Sequence, residues 1–199
     1  MDRLLQARYS MAGLRLGFWG DMADEKPSQD LSVEANLPSA GFYTEIYIDY
    51  RVAKPLFVEL SAGVASRGEI VILDAGNKYI GNINLYPVLL QLKFSPLSGK
   101  SRSVYPFVEA GGGFVFGRQS IDIITFSDYY EYNPDITGKT ETDFIGAVGG
   151  GVDLALSEQL GLNIAAKYHP VKFVNSLAGI REYSGISISV GVSYFLHKL

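Results

Sequence analysis

The chain has 199 residues, a formal net charge of −4, 22 glycines, 13 tyrosines and no cysteine. That length fits one domain spanning residues 1–199. The acidic balance, with no basic stripe to displace phosphate counterions, excludes a nucleic-acid partner. The missing cysteines exclude disulfides, thiolate chemistry, cysteine-ligated zinc and a lipidated N-terminal cysteine, and no run of 18 apolar residues offers a spanning helix.

The opening MDRLLQARYSM lacks the apolar middle segment of a secretory signal, so the chain reads either as not exported or as a mature chain with a start methionine. From there period-2 alternation dominates. It predicts eight strands at about 8–20, 41–53, 55–71, 79–95, 104–118, 141–156, 160–171 and 183–196. The first, third, fifth and seventh connectors are read as longer and polar: 21–40, LDAGNK at 73–78, 119–140, and KFVNSLAGIRE at 172–182. The second and sixth, at Lys54-Pro55 and Ser157-Glu158-Gln159, are tight, and SPLSGKSRS is a modest turn. An up-and-down meander of this kind has one loopy end and one trimmed end.

Each strand has two unlike faces. One carries residues such as Leu14, Ile46, Leu60, Leu90, Val108, Phe144, Ile164 and Val190, and no charge. The other carries Arg15, Glu45, Asp49, Arg51, Glu59, Arg67, Lys93, Glu109, Asp143, Asp153 and Lys167 among Gly, Ala and Ser. A soluble barrel would turn the apolar face inward, whereas a membrane barrel inverts it. Eight strands enclose only enough room for side chains to fill, and about forty residues, many of them large and apolar, overfill that space. The polar face is also too poor in charge for a solvent surface: strand eight offers only Ser and Gly there. Five basic and six acidic groups suit an internal network in which charges pair. The expected fold is therefore all-β, an eight-stranded antiparallel up-and-down transmembrane β-barrel. In VYPFVEAGGGFVFG (104–117), Val108, Ala110, Phe114 and Phe116 would meet acyl chains, Glu109 would join the inner network, and Gly111 and Gly113 would leave room across the lumen.

NLYPVLLQLKFSP (84–96), followed by VYPFVEAGGGFVFG, resembles the small outer-membrane β-barrel superfamily of Gram-negative bacteria, the OmpA-, OmpX- and OmpW-like proteins. The final SISVGVSYFL is similar to the C-terminal strand read by the barrel-assembly machinery, although here Phe195 is followed by Leu-His-Lys-Leu. The resemblance implies a monomer in the bacterial outer membrane, in contact with membrane lipid and lipopolysaccharide, with termini in the periplasm and four loops outside. It implies no catalytic, cofactor or metal site and a structural or surface-interaction role. An OmpW-like conduit for small hydrophobic molecules is the alternative, with Leu85, Pro87 and Leu89 as its candidate lining. A lipid A deacylase or acyltransferase is a further alternative. Such enzymes use a His and a Ser on the membrane-facing surface, whereas His169 falls on the lumen face with Ser176 in the following loop. The expected role of His169 is a lumen or rim group bonded to a carboxylate. The loop group Asp128, Tyr129, Tyr130, Glu131, Tyr132 and Asp135 is a candidate for Ca²⁺ or partner contact, though its spacing matches no EF-hand.

Overall fold

The computed structural model describes residues 10–22, 33–36, 39–74, 77–98, 103–125, 138–177 and 179–196. Its strands are β1 (Ser10–Asp21), β2 (Val33–Asn36), β3 (Ala40–Ala53), β4 (Leu56–Asp74), β5 (Asn77–Phe94) and β6 (Val104–Thr125). They continue with β7 (Lys139–Ala155), β8 (Leu160–His169), β9 (Lys172–Leu177), β10 (Ile180–Glu182) and β11 (Gly185–Leu196). Eight of them form a closed antiparallel ring in the order β1-β3-β4-β5-β6-β7-β8-β11. The seam between first and last barrel strands runs without a shift from Ser10↔Leu196 to Asp21↔Gly185. Closure of this kind leaves no backbone edge unpaired in lipid, which an open sheet cannot achieve.

The alternation read from the sequence becomes a difference in exposure. Along β11, residues are buried and exposed in strict turn from Gly185 to Leu196. Val108 is 61% exposed and Leu60 52%, while their chain neighbours Glu109 and Glu59 are 2% and 0% exposed. The greasy face is therefore the outer wall and the charged face the inner one.

Several connectors differ from the sequence reading. The connector expected at 73–78 is shorter than read: β4 runs on to Asp74 and β5 begins at Asn77, and these two residues pair. β6 likewise passes residue 118 and pairs to Thr125↔Lys78, while β2, inside the first connector, adds to β4 from Val33↔Ile72 to Asn36↔Glu69. The outer end thus carries a sheet extension, β2-β4-β5-β6. The β4–β5 register shifts between Ser66 and Gly68, and Gly68 has φ 118°, a left-handed conformation that favours glycine and lets a bulged strand bend. β8 stops at His169 and β11 starts at Gly185. Between them the seventh connector is no polar loop but the hairpin β9–β10, in which Leu177 pairs with Ile180 and Gly179 turns at φ 79°.

That hairpin folds inward. Val171, Phe173, Leu177, Ile180 and Tyr183 are buried in one apolar cluster with Trp19, Tyr43, Ile83, Leu85, Leu89, Val115, Ile145 and Ala147. At the trimmed end Met11, Tyr47 and Phe195 form a second, smaller cluster. The interior is consequently layered: apolar outer mouth, ionic middle, small apolar inner end.

Candidate functional site

The middle layer is assembled from nearly every wall strand. Arg15 on β1 donates through Nη1 and Nη2 to Glu59 Oε1 and Oε2 on β4, both at 2.9 Å, a two-pronged match of planar fork to carboxylate. Its Nη1 also reaches Glu45 Oε1 on β3 at 3.2 Å, and its Nε donates to Asn163 Oδ1 on β8 at 2.6 Å. The same guanidinium lies 3.7 Å from the centroid of the Tyr47 ring. Lys167 on β8 donates to Glu45 Oε1 at 2.8 Å, Glu59 Oε1 at 2.7 Å and Gln91 Oε1 on β5 at 3.1 Å. Tyr43 Oη donates to the other Glu45 oxygen at 3.1 Å.

A second knot sits beside the first. Lys93 Nζ on β5 is 2.8 Å from Asp49 Oδ2 on β3 and 2.9 Å from Asp153 Oδ2 on β7, with the Phe107 ring centroid 3.9 Å away. Asn163 ties the two knots, because its Nδ2 donates to Asp153 Oδ1 while its Oδ1 accepts from Arg15. All eight charged groups involved or adjoining are 5% exposed or less. Each ion has lost its water, so its hydrogen bonds to opposite charge carry the compensation.

Glu109 on β6 belongs to this layer but is held differently. Its Oε1 lies 3.4 Å from Lys167 Nζ, and neither of its oxygens accepts a hydrogen bond. Two charges singled out from the sequence, Arg67 and Asp143, stand apart from these knots. Arg67 is fully buried nearer the outer end, where Nη2 is 2.7 Å from Asp21 Oδ2 and Nη1 donates to Trp19 O. Arg51 lies over the Phe57 ring, 5.6 Å from its centroid. Asp143 is only half-buried and accepts from the backbone N–H of Phe144 at 2.9 Å. Gly111 does not serve to leave room across the lumen: a Cβ there would lie 2.2 Å from Leu90 O on the adjacent strand, so the crowding is within the wall.

His169 is fully buried on the lumen side and stacks on Trp19 at 4.3 Å between centroids. Its partner is a hydroxyl, not a carboxylate: Nε2 and Ser187 Oγ on β11 are 3.0 Å apart. Ser176 sits in β9, not in a loop. The sequence reading missed Ser187, which the β8–β11 register places one inward position from His169 (Ser187↔Lys167, Gly185↔His169). Nδ1 of His169 has no hydrogen-bond partner, so no acidic group orients the ring. Among the described residues no group of three or more His, Asp or Glu side chains is placed to hold a metal ion. Asp128, Tyr129, Tyr130, Glu131, Tyr132 and Asp135 lie outside the described residues.

Above the ionic layer Ile83, Leu85 and Leu89 on β5 and Val115 on β6 face inward, each at most 1% exposed. The inner wall is therefore not uniformly polar: on the β5–β6 side the outer mouth is apolar on its inward face.

No protein-family model matches the sequence, nor does any curated protein sequence. Solved structures do match. Neisserial surface protein A is 14% identical with a TM-score of 0.58, the alignment covering 94% of this chain and 97% of that one. The outer membrane protein OprG from Pseudomonas aeruginosa is 17% identical at a TM-score of 0.59, over 98% and 99% of the two chains. The outer membrane protein AlkL, determined in lipid bilayers, is 15% identical at 0.50, over 97% and 92%. At these identities the likeness concerns architecture, and it agrees with the closed ring and the inverted faces: the chain has the fold of the small eight-stranded transmembrane barrels of bacterial outer membranes.

Proposed function

We propose that the protein is a monomeric, non-enzymatic outer-membrane barrel whose lumen is closed by ion pairs, anchoring a sheet extension and loops that act at the cell surface. The observation that carries this reading is the middle layer. Arg15, Glu45, Glu59, Lys93, Asp153 and Lys167 come from six different strands and meet within hydrogen-bonding distance. Eight strands enclose little free space, and side chains bonded across that space leave no aqueous path. Lipopolysaccharide and phospholipid would cover the outer wall, and the barrel-assembly machinery would insert it through the alternating β11. The test is conductance in planar bilayers. The expected result is no sustained ion current, and a stable current that scales with salt would overturn the reading.

A second reading has its own support. The inward apolar wall of Ile83, Leu85, Leu89 and Val115 suits a small hydrophobic molecule entering from outside, as an OmpW-like conduit would require. Uptake of a neutral apolar dye without ion current would favour it over the pure anchor. The His169–Ser187 pair adds little to an enzyme reading, since both groups are enclosed and neither faces lipid.

A further inference from the structure

We infer that Phe173 and Leu177 occupy, within the chain itself, the place that a compact uncharged apolar ligand would take in the outer mouth, making the β9–β10 hairpin a stopper for that site. The inference rests on the second reading above and adds how the site is kept shut.

The interior of a transmembrane barrel is ordinarily polar. Here one side of the outer mouth is apolar, and what covers it is not solvent but the hairpin, whose Phe173 and Leu177 are fully buried against it. They sit in a fitted socket. A Cβ added to Gly117 on β6 would come within 2.5 Å of Leu177 Cδ1 and 2.7 Å of Phe173 Cζ, so the two side-chain ends rest directly on the wall and would have to shift for a larger residue there. The floor beneath is the Trp19–His169 stack, with the ionic layer below it, so the chamber is blind at its inner end.

The manner of attachment suits a removable part. Among the described residues β9 and β10 pair only with each other, in a sheet separate from the barrel. Outer contacts between hairpin and wall include single side-chain bonds at exposed positions: Lys139 Nζ to Ser176 O at 2.7 Å and Asn175 Nδ2 to Glu141 Oε2 at 3.1 Å. Lifting the hairpin would break no strand ladder of the membrane wall. Apolar burial keeps it seated while the chamber holds nothing else, and a ligand of like chemistry replaces that burial.

Because the chain contains no cysteine, a thiol pair can be introduced cleanly. Glu141→Cys with Asn175→Cys, bridged by a short thiol crosslinker, would pin the hairpin to β7. The probe is N-phenyl-1-naphthylamine, neutral and apolar, read by energy transfer from the sole tryptophan, Trp19, at the chamber floor, with Trp19→Phe as background. Saturable transfer is expected with the cysteines merely alkylated and is expected to fall to background once they are bridged. The Phe173→Ala, Leu177→Ala double variant, which leaves the wall intact, should bind the probe about tenfold tighter or more than the natural chain. Equal transfer with and without the bridge, or unchanged affinity in the double alanine variant, would overturn the stopper and leave the apolar site standing. No saturable transfer in any variant would remove the apolar site itself.

Discussion

Glu59 and Glu109 face the same lumen, yet neutralising them should have very different consequences. Glu59 accepts two bonds from Arg15 at 2.9 Å and one from Lys167 at 2.7 Å. Replacing it by Gln leaves two buried cations competing mainly for Glu45. Removing one partner of a buried pair costs about 3–5 kcal/mol, and the amide oxygen retained by Gln puts the expectation near the lower end. Glu109 makes no hydrogen bond and stands 3.4 Å from Lys167, which keeps Glu45, Glu59 and Gln91 without it. Glu109→Gln should therefore cost less than about 1 kcal/mol. The gap of at least about 2 kcal/mol corresponds to roughly thirtyfold in the folding equilibrium. Urea titration in phospholipid bilayers, followed by Trp19 emission, measures it. Equal losses in the two variants, or a larger loss for Glu109→Gln, would refute the claim that bonding within the layer, not mere charge in the lumen, supports the barrel.

Other expectations follow from the wall and the mouth. Leu60→Arg puts a cation on the outer face at the centre of the outward run from Leu56 to Val64, and should cost about 2–4 kcal/mol in bilayers; unchanged stability there would contradict the assignment of faces. Gly111→Ala drives a methyl toward Leu90 O at 2.2 Å and should cost about 1–3 kcal/mol, seen as a lower urea midpoint; a neutral result would mean the β5–β6 wall is looser than described. Trp19, fully buried under the hairpin, should emit from an apolar environment and resist acrylamide quenching until the barrel unfolds. Ready quenching in the folded state would place the outer mouth in contact with water.

How far the sequence carries the fold depends on the element. Period-2 alternation locates all eight wall strands, because lipid outside and a narrow lumen inside impose opposite demands on successive residues. Glu59 beside Leu60 and Glu109 beside Val108 show this at single-residue resolution. What the alternation does not reveal is which inward charges meet. Arg15 and Lys167 lie on strands separated by the closing seam, and their convergence on Glu45 and Glu59 is set by shear and side-chain length. Asp143 and Arg67 have the same parity as the network but lie nearer the outer end, a difference of depth that composition cannot express. The β9–β10 hairpin has a sequence signal of its own beneath the polarity of 172–182: Leu177 and Ile180 flank the two residues Ala178-Gly179, a spacing that suits a tight hairpin. Asp74 and Asn77 flank Ala75-Gly76 in the same way. His169 and Ser187 are 18 residues apart, and only the β8–β11 register brings them together.

The layered interior bears on why the lumen is charged at all, since a buried ion pair is often no more stabilising than well-packed apolar residues. In lipid the outer face must be apolar, so an apolar inner face would make the two sides of every strand interchangeable. A one-residue slip would then cost little, because it exchanges one greasy face for another. Charges on one parity remove that degeneracy: a slipped β3 would place Glu45 and Asp49 in hydrocarbon. β5 is the informative exception. From Leu85 to Leu90 it is apolar on both sides, with Leu85, Pro87 and Leu89 inward and Tyr86, Val88 and Leu90 outward, and lower down Gln91 and Lys93 mark its inward parity. Lys93 bonds to Asp49 and Asp153 on two other strands, so one side chain can set the facing of the whole strand. The apolar mouth is tolerable because polar contacts lower in the same strands have already decided which face looks inward.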